Sequence, residues 1–381
     1  MIFYRIMTSS VLLAVLSCSG SIKVPNISTV NKDSDWTQLG GNPEHDSQAF
    51  NEVKPPLTRV WRSSVDYAPN GNLTAAEGKI FVATMGGKVV VLDHETGISL
   101  GSIDLDKSIG KGIAIDGMHG YFGRVSGNKT LFSYELRNGI YVWKKKIGPV
   151  ESMPLIAGKL LYVTTAKGEL YCLDAETGAE KWRFKSGKPF HSTPTKSEGL
   201  VYAANDSGYV YALNASNGKL KWKQSTGAPV FSSPIVHGTD LFIANLSGSI
   251  YSIDKITGEV NWEIRREGSF YSMPAIGNDD LYIASGIGIL YKIDISQGKI
   301  IWESDVSAPV SEGLLVSGGY IYVGSLNHYI YSLSTKTGEI VWSEKLDGRV
   351  RTAPIEHAGT IYIGAEDRYV YAYSNSVRVN E

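Results

Sequence analysis

Charged and aromatic side chains recur along this chain at steps of forty residues, each followed by a position that mostly holds Ser or Thr. The first positions hold Glu151, His191, Phe231, Tyr271, Ser311 and Arg351. The positions that follow hold Ser152, Ser192, Ser232, Ser272, Glu312 and Thr352. Aromatics mixed with both charges are typical of a binding surface, although variation at loop ends alone also produces such a mixture. The candidate partner-binding residues are Glu151, His191, Phe231, Tyr271, Glu312 and Arg351.

Motifs that would indicate catalysis or a metal centre are weak in this sequence. The seven histidines are scattered singly, and none is paired with another His or Cys at zinc-ligand spacing. Gly97-Ile-Ser99-Leu-Gly101 matches the nucleophile-elbow pattern of hydrolases, but that pattern needs a following helix, and none is predicted here. Cys172 stands in a repeat column of mostly small residues, which indicates a structural role. We therefore predict no catalytic residue, no metal site and no cofactor.

The candidate residues belong to a repeat that covers most of the chain. Its tryptophans fall at steps of 39 to 42 residues, with Gly101 at one vacant step, and are Trp61, Trp143, Trp182, Trp222, Trp262, Trp302 and Trp342. Two aromatic columns, such as Tyr162 and Tyr171 in one copy, lie in short apolar runs bounded by Gly, Asn or Asp. Runs that short indicate strands, and a period near forty indicates radially repeated β units.

Each copy of the repeat supplies four strands, the number in one blade of a β-propeller. Eight aromatic pairs predict an all-β fold, a single eight-bladed propeller over residues 57–376. The last copy ends near Tyr373 before its outer strand would begin, and residues 57–63 provide a strand at the other end of the sequence. Pairing these two ends would close the ring and remove exposed strand edges.

The N-terminal residues predict secretion and lipid attachment. Arg5 precedes an apolar stretch, Ile6 to Leu16, which is too short to span a bilayer and is typical of a secretory signal. The stretch ends in Val-Leu-Ser-Cys18, which resembles a bacterial lipobox. We predict a lipoprotein signal peptide over residues 1–17, a lipidated Cys18 with a flexible tether over 18–56, and a tail over 377–381. Ordinary secretion with an incidental cysteine is the alternative.

The predicted location is the bacterial cell envelope. Ser19 stands where an Asp often retains lipoproteins in the inner membrane, which favours a lipid anchor in the outer membrane facing the periplasm. The 37 basic and 38 acidic residues give a net charge of −1, which argues against a nucleic-acid partner. A closed ring of repeats is one cooperative unit, so we expect one domain and a monomer.

The Thr-Gly-x-x-x-Trp ending of the repeats, as in Thr177 to Trp182, resembles propellers of the pyrroloquinoline-quinone (PQQ) type. The resemblance covers roughly residues 57 to 376 and includes two branches, the quinoprotein dehydrogenases and the BamB-like lipoproteins of outer-membrane β-barrel assembly. The adjacent cysteine pair and recognisable calcium ligands of the quinoprotein enzymes are missing here. The resemblance therefore implies a non-catalytic scaffold whose protein partner is the β-barrel assembly machine.

Two other functions stay open from the sequence. One is a PQQ-dependent oxidoreductase, and the other is a propeller that binds a small ligand or a glycan in its central funnel. The short inter-blade loops also depart from the BamB-like pattern, because the acidic loop through which that family docks its partner has no convincing counterpart.

Overall fold

The computed structural model describes residues 34–105 and 107–375, with Ser311 described by its backbone alone. Across these residues the chain forms thirty-two β-strands and no helix. The strands pair into eight antiparallel sheets of four strands each, which confirms the predicted eight-bladed propeller. The predicted signal peptide, Cys18 and the tail from residue 377 lie outside the described residues.

The strands are numbered in chain order, and each sheet is one blade. Blade 1 consists of β2 (Thr74–Ala76), β3 (Lys79–Ala83), β4 (Lys88–Asp93) and β5 (Ser99–Asp104), and blade 2 consists of β6 (Ile109–Asp116), β7 (His119–Arg124), β8 (Leu131–Glu135) and β9 (Ile140–Lys145). Blade 3 consists of β10 (Leu155–Ala157), β11 (Leu160–Thr164), β12 (Glu169–Asp174) and β13 (Glu180–Lys185), and blade 4 consists of β14 (Thr195–Ser197), β15 (Leu200–Ala204), β16 (Tyr209–Asn214) and β17 (Leu220–Ser225). Blade 5 consists of β18 (Ile235–His237), β19 (Asp240–Ala244), β20 (Ser249–Asp254) and β21 (Val260–Arg265), and blade 6 consists of β22 (Ala275–Gly277), β23 (Asp280–Ala284), β24 (Ile289–Asp294) and β25 (Lys299–Asp305). Blade 7 consists of β26 (Val310–Ser317), β27 (Tyr320–Ser325), β28 (Tyr329–Ser334) and β29 (Ile340–Lys345), and blade 8 consists of β30 (Ile355–His357), β31 (Thr360–Ala365), β32 (Tyr369–Ser374) and β1 (Thr58–Ser64).

The Trp and Gly columns hold neighbouring blades together. Trp182 of blade 3 donates from Nε1 to the Ala215 carbonyl of blade 4 over 2.9 Å. Its ring lies against Gly218, where a Cβ would come within 2.6 Å of the ring. Gly218 has a φ of 71°, a left-handed conformation that Gly adopts without steric cost. The same donor contact to the next blade is made by Trp61, Trp143, Trp222, Trp262 and Trp302.

The ring closes as the sequence predicts. β1 pairs with β32 as the outer strand of blade 8, with Trp61 opposite Ala372 and Arg62 opposite Tyr371. Trp61 then donates to the His94 carbonyl of blade 1 over 3.1 Å, so the inter-blade contact continues across the closure. Backbone pairing thus joins the first and last strands, and a side-chain hydrogen bond joins blade 8 to blade 1.

Residues 34–53 form a segment that we call the belt, because it contacts every blade in turn. Trp36 and Val53 are buried at its two ends, at 3% and 0% exposure. Hydrogen bonds of 2.7 to 3.2 Å join the belt to blades 1 to 8 at Ala75, Ile115, Ile156, Lys196, Val236, Ile276, Val316 and Glu356. Residues 34–53, which fall within the flexible tether expected for 18–56, are therefore packed against the propeller, because their backbone and side-chain groups bond to the innermost strands.

The belt makes the two ends of the central channel different. The bonded residues lie at the finish of each innermost strand, so we call this the belt end. His45 lies there without exposed surface, with Nδ1 3.0 Å from Thr195 Oγ1 and 3.3 Å from the Pro234 carbonyl. The strands start at the opposite side of the propeller, which we call the open end. Glu312 lies near the start of β26, and the other candidate residues lie in the loops that lead into the innermost strands.

Candidate functional site

The six candidate residues line one cavity of about 590 Å³ at the open end, which we call the funnel. Its full lining is Lys111, Glu151, His191, Phe231, Tyr271, Gly286, Pro309, Val310, Glu312, Leu326 and Arg351. The structure therefore brings the candidate residues of six different blades together, because the repeat places equivalent positions around one axis. Their role in partner binding stays a prediction.

A ring of serines beneath the candidate residues fixes their positions. Ser232 Oγ donates to the Ala244 carbonyl over 2.8 Å, and Ser272 Oγ donates to the Ala284 carbonyl over 2.7 Å. Each bond joins the loop that leads into an innermost strand to the next strand of the same blade. The serines are buried, so their hydroxyls form hydrogen bonds within the blade and are not accessible to a ligand in the funnel. The residue before each serine is thereby held at the funnel wall.

An ion pair crosses the funnel at the level of this ring. Lys111 Nζ lies 3.1 Å from Glu312 Oε2, joining blades 2 and 7. Both residues occupy positions that hold serine in other blades, since Ala114 pairs with Tyr121 and Leu315 with Tyr322, as Leu155 pairs with Tyr162. Lys111 was missed in the sequence because the aromatic columns of blades 2 and 3 are 41 residues apart, from Tyr121 to Tyr162, so a forty-residue step back from Ser152 lands on Gly112. The pairing register of the aromatic column would have revealed it.

At blades 3 and 4, the funnel wall contains one histidine whose imidazole contacts two carboxylates. His191 Nδ1 lies 2.6 Å from Glu151 Oε2, and His191 Nε2 lies 3.0 Å from Asp206 Oδ2. Burial raises the pKa of Asp206 above its usual range, and the neighbouring imidazole offsets only part of this effect. We call Glu151, His191 and Asp206 the acidic wall, because at most one positive charge faces two carboxylates there.

Aromatic rings continue the wall from blade 4 to blade 6. The ring centroids of His191 and Phe231 are 5.0 Å apart, and those of Phe231 and Tyr271 are 6.3 Å apart. The side chain of Tyr271 is 46% exposed, which leaves its ring accessible from the open end. We call Phe231 and Tyr271 the aromatic arc.

Blade 8 supplies the basic side of the funnel. Glu366 accepts hydrogen bonds from both Arg351 and Arg349. Partial burial of Glu366 opposes its ionisation, but the two guanidinium groups hold the pKa of this carboxyl below its usual range. Two arginines therefore share one carboxylate at this side, whereas two carboxylates share one imidazole at blades 3 and 4.

A second ring of residues at the open end was also missed by the sequence analysis. Asp206 and Glu366 belong to it, and Gly286 and Leu326 of the same ring line the funnel. Each backbone N–H of this ring donates to the loop that leads into the same blade, as Asp206 does to the Pro189 carbonyl over 3.1 Å. In the sequence, this ring appears as a column of positions at steps of forty residues whose residue types vary. Its members are Ala166, Asp206, Leu246, Gly286, Leu326 and Glu366.

The remaining motifs have structural explanations. Cys172 is buried in blade 3, and this burial raises the pKa of its thiol to about 11. Gly97 receives the Trp61 ring in the turn before β5, so the Gly97–Gly101 pattern is part of the repeat. Among residues 34–105 and 107–375, no group of three or more His, Cys, Asp and Glu side chains is arranged to hold a metal ion. The same residues contain no helix long and apolar enough to cross a membrane.

Comparison with known proteins identifies the family. The family model described as outer membrane protein assembly factor BamB matches residues 55–156, 127–286 and 286–378. The chain belongs to the BamB family. A BamB from Burkholderia pseudomallei (strain K96243) is 26% identical over 140 residues, which are 35% of this chain and 36% of that protein. The match thus spans about a third of that relative's length.

Solved structures show the same propeller. The crystal structure of BamB from Moraxella catarrhalis superposes with a TM-score of 0.74 at 20% identity, covering 84% of this chain and 99% of that one. A europium-containing methanol dehydrogenase superposes with a TM-score of 0.76 at 14% identity, covering 90% of this chain and 98% of the enzyme chain. The fold is thus shared with a BamB and with an enzyme of different function, so it does not by itself decide the function.

Proposed function

We propose that this chain is a non-catalytic scaffold of the bacterial envelope that binds a protein partner at the open end, in outer-membrane β-barrel assembly. Membership of the BamB family supports this process, because the matched model carries the description of an outer membrane assembly factor. The binding role rests on one observation, the convergence of all six candidate residues on the funnel. Exposed aromatic rings beside charged groups are the usual anchors of protein interfaces.

The proposed lipid anchor also sets the orientation of the funnel relative to the membrane. We propose that Cys18 carries the lipid and that the fifteen residues 19–33 form the tether. A flexible chain of that length has a root-mean-square span of about 20 Å. The Ser34 carbonyl accepts a 2.9 Å hydrogen bond from His357 Nδ1 at the belt end. A short tether leaving from that side turns the belt end toward the membrane and the funnel toward the periplasm.

The non-catalytic proposal rests on the charges of the funnel. PQQ is a polyanionic quinone, and the two cations that line the funnel, Lys111 and Arg351, are already bonded to Glu312 and Glu366. The acidic wall would face the quinone with further negative charge. The funnel therefore does not fit PQQ with Ca²⁺, and we derive no redox step. Purified protein given both should not retain the quinone after desalting, and stoichiometric retention with dye reduction would contradict the proposal.

A triple variant tests the binding role. Replacing Phe231, Tyr271 and Arg351 with Ala should abolish capture of the envelope partner from detergent extracts, since hot-spot side chains of these types contribute about 2 kcal/mol or more each. The melting temperature should stay close to that of the wild type, because the three positions lie outside the Trp–Gly contacts between blades.

A control variant carries three alanine substitutions at the belt end, which also replace two apolar side chains and one arginine. Ile98, Ile256 and Arg137 lie in exposed turns there, and replacing all three with Ala should leave capture unchanged. Undiminished capture by the funnel variant, or loss of capture in both variants, would contradict binding at the open end.

A further inference from the structure

The funnel separates its charges between opposite walls. At blade 8, Arg349 and Arg351 share Glu366, which leaves one positive charge in excess. At blades 3 and 4, the two carboxylates of the acidic wall share His191, which leaves at least one negative charge in excess whatever the protonation state of the imidazole. Lys111 and Glu312 neutralise each other between these walls. The unbalanced negative charge therefore lies at the acidic wall.

The acidic wall continues directly into the aromatic arc. The ring of Phe231 is 5.0 Å from the ring of His191, and Tyr271 follows with 46% of its surface exposed. Carboxylates bind ammonium and guanidinium groups through charge-assisted hydrogen bonds, and aromatic faces attract the same cations. An aromatic surface also covers the apolar stem of a Lys or Arg side chain. Both surfaces thus select the same chemical group.

One acceptor of the acidic wall is still unfilled. Asp206 Oδ1 is buried and has no hydrogen-bond partner within the described part of the chain, whereas Asp206 Oδ2 is bonded to His191. A buried carboxylate oxygen without a donor is costly. An incoming cation beside the wall would lower this cost through its charge even without direct contact to the buried oxygen.

We propose that the funnel binds the side chain of an arginine or lysine in a peptide segment of the partner, between the acidic wall and the aromatic arc. This inference rests on the proposed function and specifies the chemistry of the partner. The charged head lies against Glu151 and Asp206, and the apolar stem lies along Phe231 and Tyr271. The excess positive charge at blade 8 disfavours the same group on the opposite wall, which fixes one orientation.

Fluorescence anisotropy with dye-labelled nine-residue peptides tests this proposal on the purified full chain. The peptides differ only at the central residue, which is Arg, Lys, citrulline or Glu. Citrulline has nearly the shape of Arg without its charge, so the Arg and Lys peptides should bind about tenfold or more tightly than the citrulline peptide. The Glu peptide should bind most weakly, and raising the salt concentration should weaken only the Arg and Lys peptides.

The variant E151Q/D206N should lower the affinity for the Arg peptide to that for the citrulline peptide. D279N is the matched control, because Asp279 makes the same 3.0 Å contact with a histidine, His237, at the belt end. That variant should bind the Arg peptide like the wild type. Melting temperatures of both variants show whether the fold is intact.

Equal affinity for the Arg and citrulline peptides would overturn the inference, as would tighter binding of the Glu peptide or an unchanged affinity in E151Q/D206N. Absence of binding to any peptide would overturn it as well. None of these results decides whether the partner binds at the open end, because that depends on partner capture by the Phe231, Tyr271 and Arg351 variant. The two proposals can therefore fail separately.

Discussion

Single side chains distinguish the two ends of this propeller, because the repeat keeps the surrounding positions nearly constant. At the open end, Lys111 and Glu312 replace ring serines and form an ion pair across the channel. At the belt end, His45 fills the space between Thr195 and Pro234. A single changed residue in the repeat is therefore enough to convert a ring serine position into a charged one, whereas His45 is supplied by the belt from outside the repeat.

His45 should make the stability of the fold depend on pH. Burial lowers the pKa of His45 to about 4, against about 6.5 in the unfolded chain. The unfolded state therefore binds the proton more tightly, so the neutral His45 contributes stability near pH 7 that is lost as the pH falls from about 6.5 to about 4. The expected loss is about 3 kcal/mol.

Chemical denaturation of the wild type and of H45Q at pH 7 and pH 4 measures this contribution. The difference in unfolding free energy between the two proteins should change by about 3 kcal/mol, with the wild type losing more on acidification. Comparison with H45Q removes the effect of the carboxylates, which titrate in both proteins. A difference that stays constant with pH would contradict the burial of a neutral His45.

At the scale of elements, the blades could be predicted and the belt could not. The aromatic, Gly and Trp columns encode a frame in which each Trp docks on the next blade, so strand number and ring closure follow from periodicity. The belt has no periodic pattern, because it bonds to eight different strands mostly through backbone groups, which place few constraints on its side chains. Its polar composition therefore resembled that of a tether.

The same reasoning explains which site residues were found. The six candidate residues share one repeat column and its neighbour, so alignment alone places them around the axis. Lys111 was missed because the step from blade 2 to blade 3 is 41 residues, and Asp206 was missed because its column lies in a loop. Contacts between columns, such as Asp206 with His191, depend on loop geometry that the sequence does not show.

Deleting residues 57–64 should destabilise the whole ring. The deletion removes β1 and leaves the outer edge of β32 unpaired from Tyr369 to Ser374, while its inner edge stays paired with β31. We expect a much lower melting temperature and aggregation, because unpaired strand edges associate. An equal deletion of residues 22–29, within the proposed tether, is the control and should leave melting unchanged. A monomeric β1 deletion that melts like the wild type would show that closure contributes little.

At the scale of the whole molecule, the proposed anchor and the belt together orient the propeller, with the belt end toward the membrane and the funnel toward the periplasm. The variant C18A should move the protein from the membrane fraction to the soluble periplasmic fraction, because its lipid would be absent. The propeller itself should fold normally, because Cys18 belongs neither to the eight blades nor to the belt. Membrane retention of C18A, with no palmitate label on the wild type, would contradict lipid attachment at Cys18.

The most direct test of binding at the open end is photo-crosslinking in living cells. A photoreactive amino acid replaces Tyr271 at the funnel in one strain and Ile256 at the belt end in another; both side chains are exposed. Binding at the open end predicts crosslinks from position 271, and not from position 256, to a component of the β-barrel assembly machine. Crosslinks to that machine from position 256 alone, or from neither position, would contradict it.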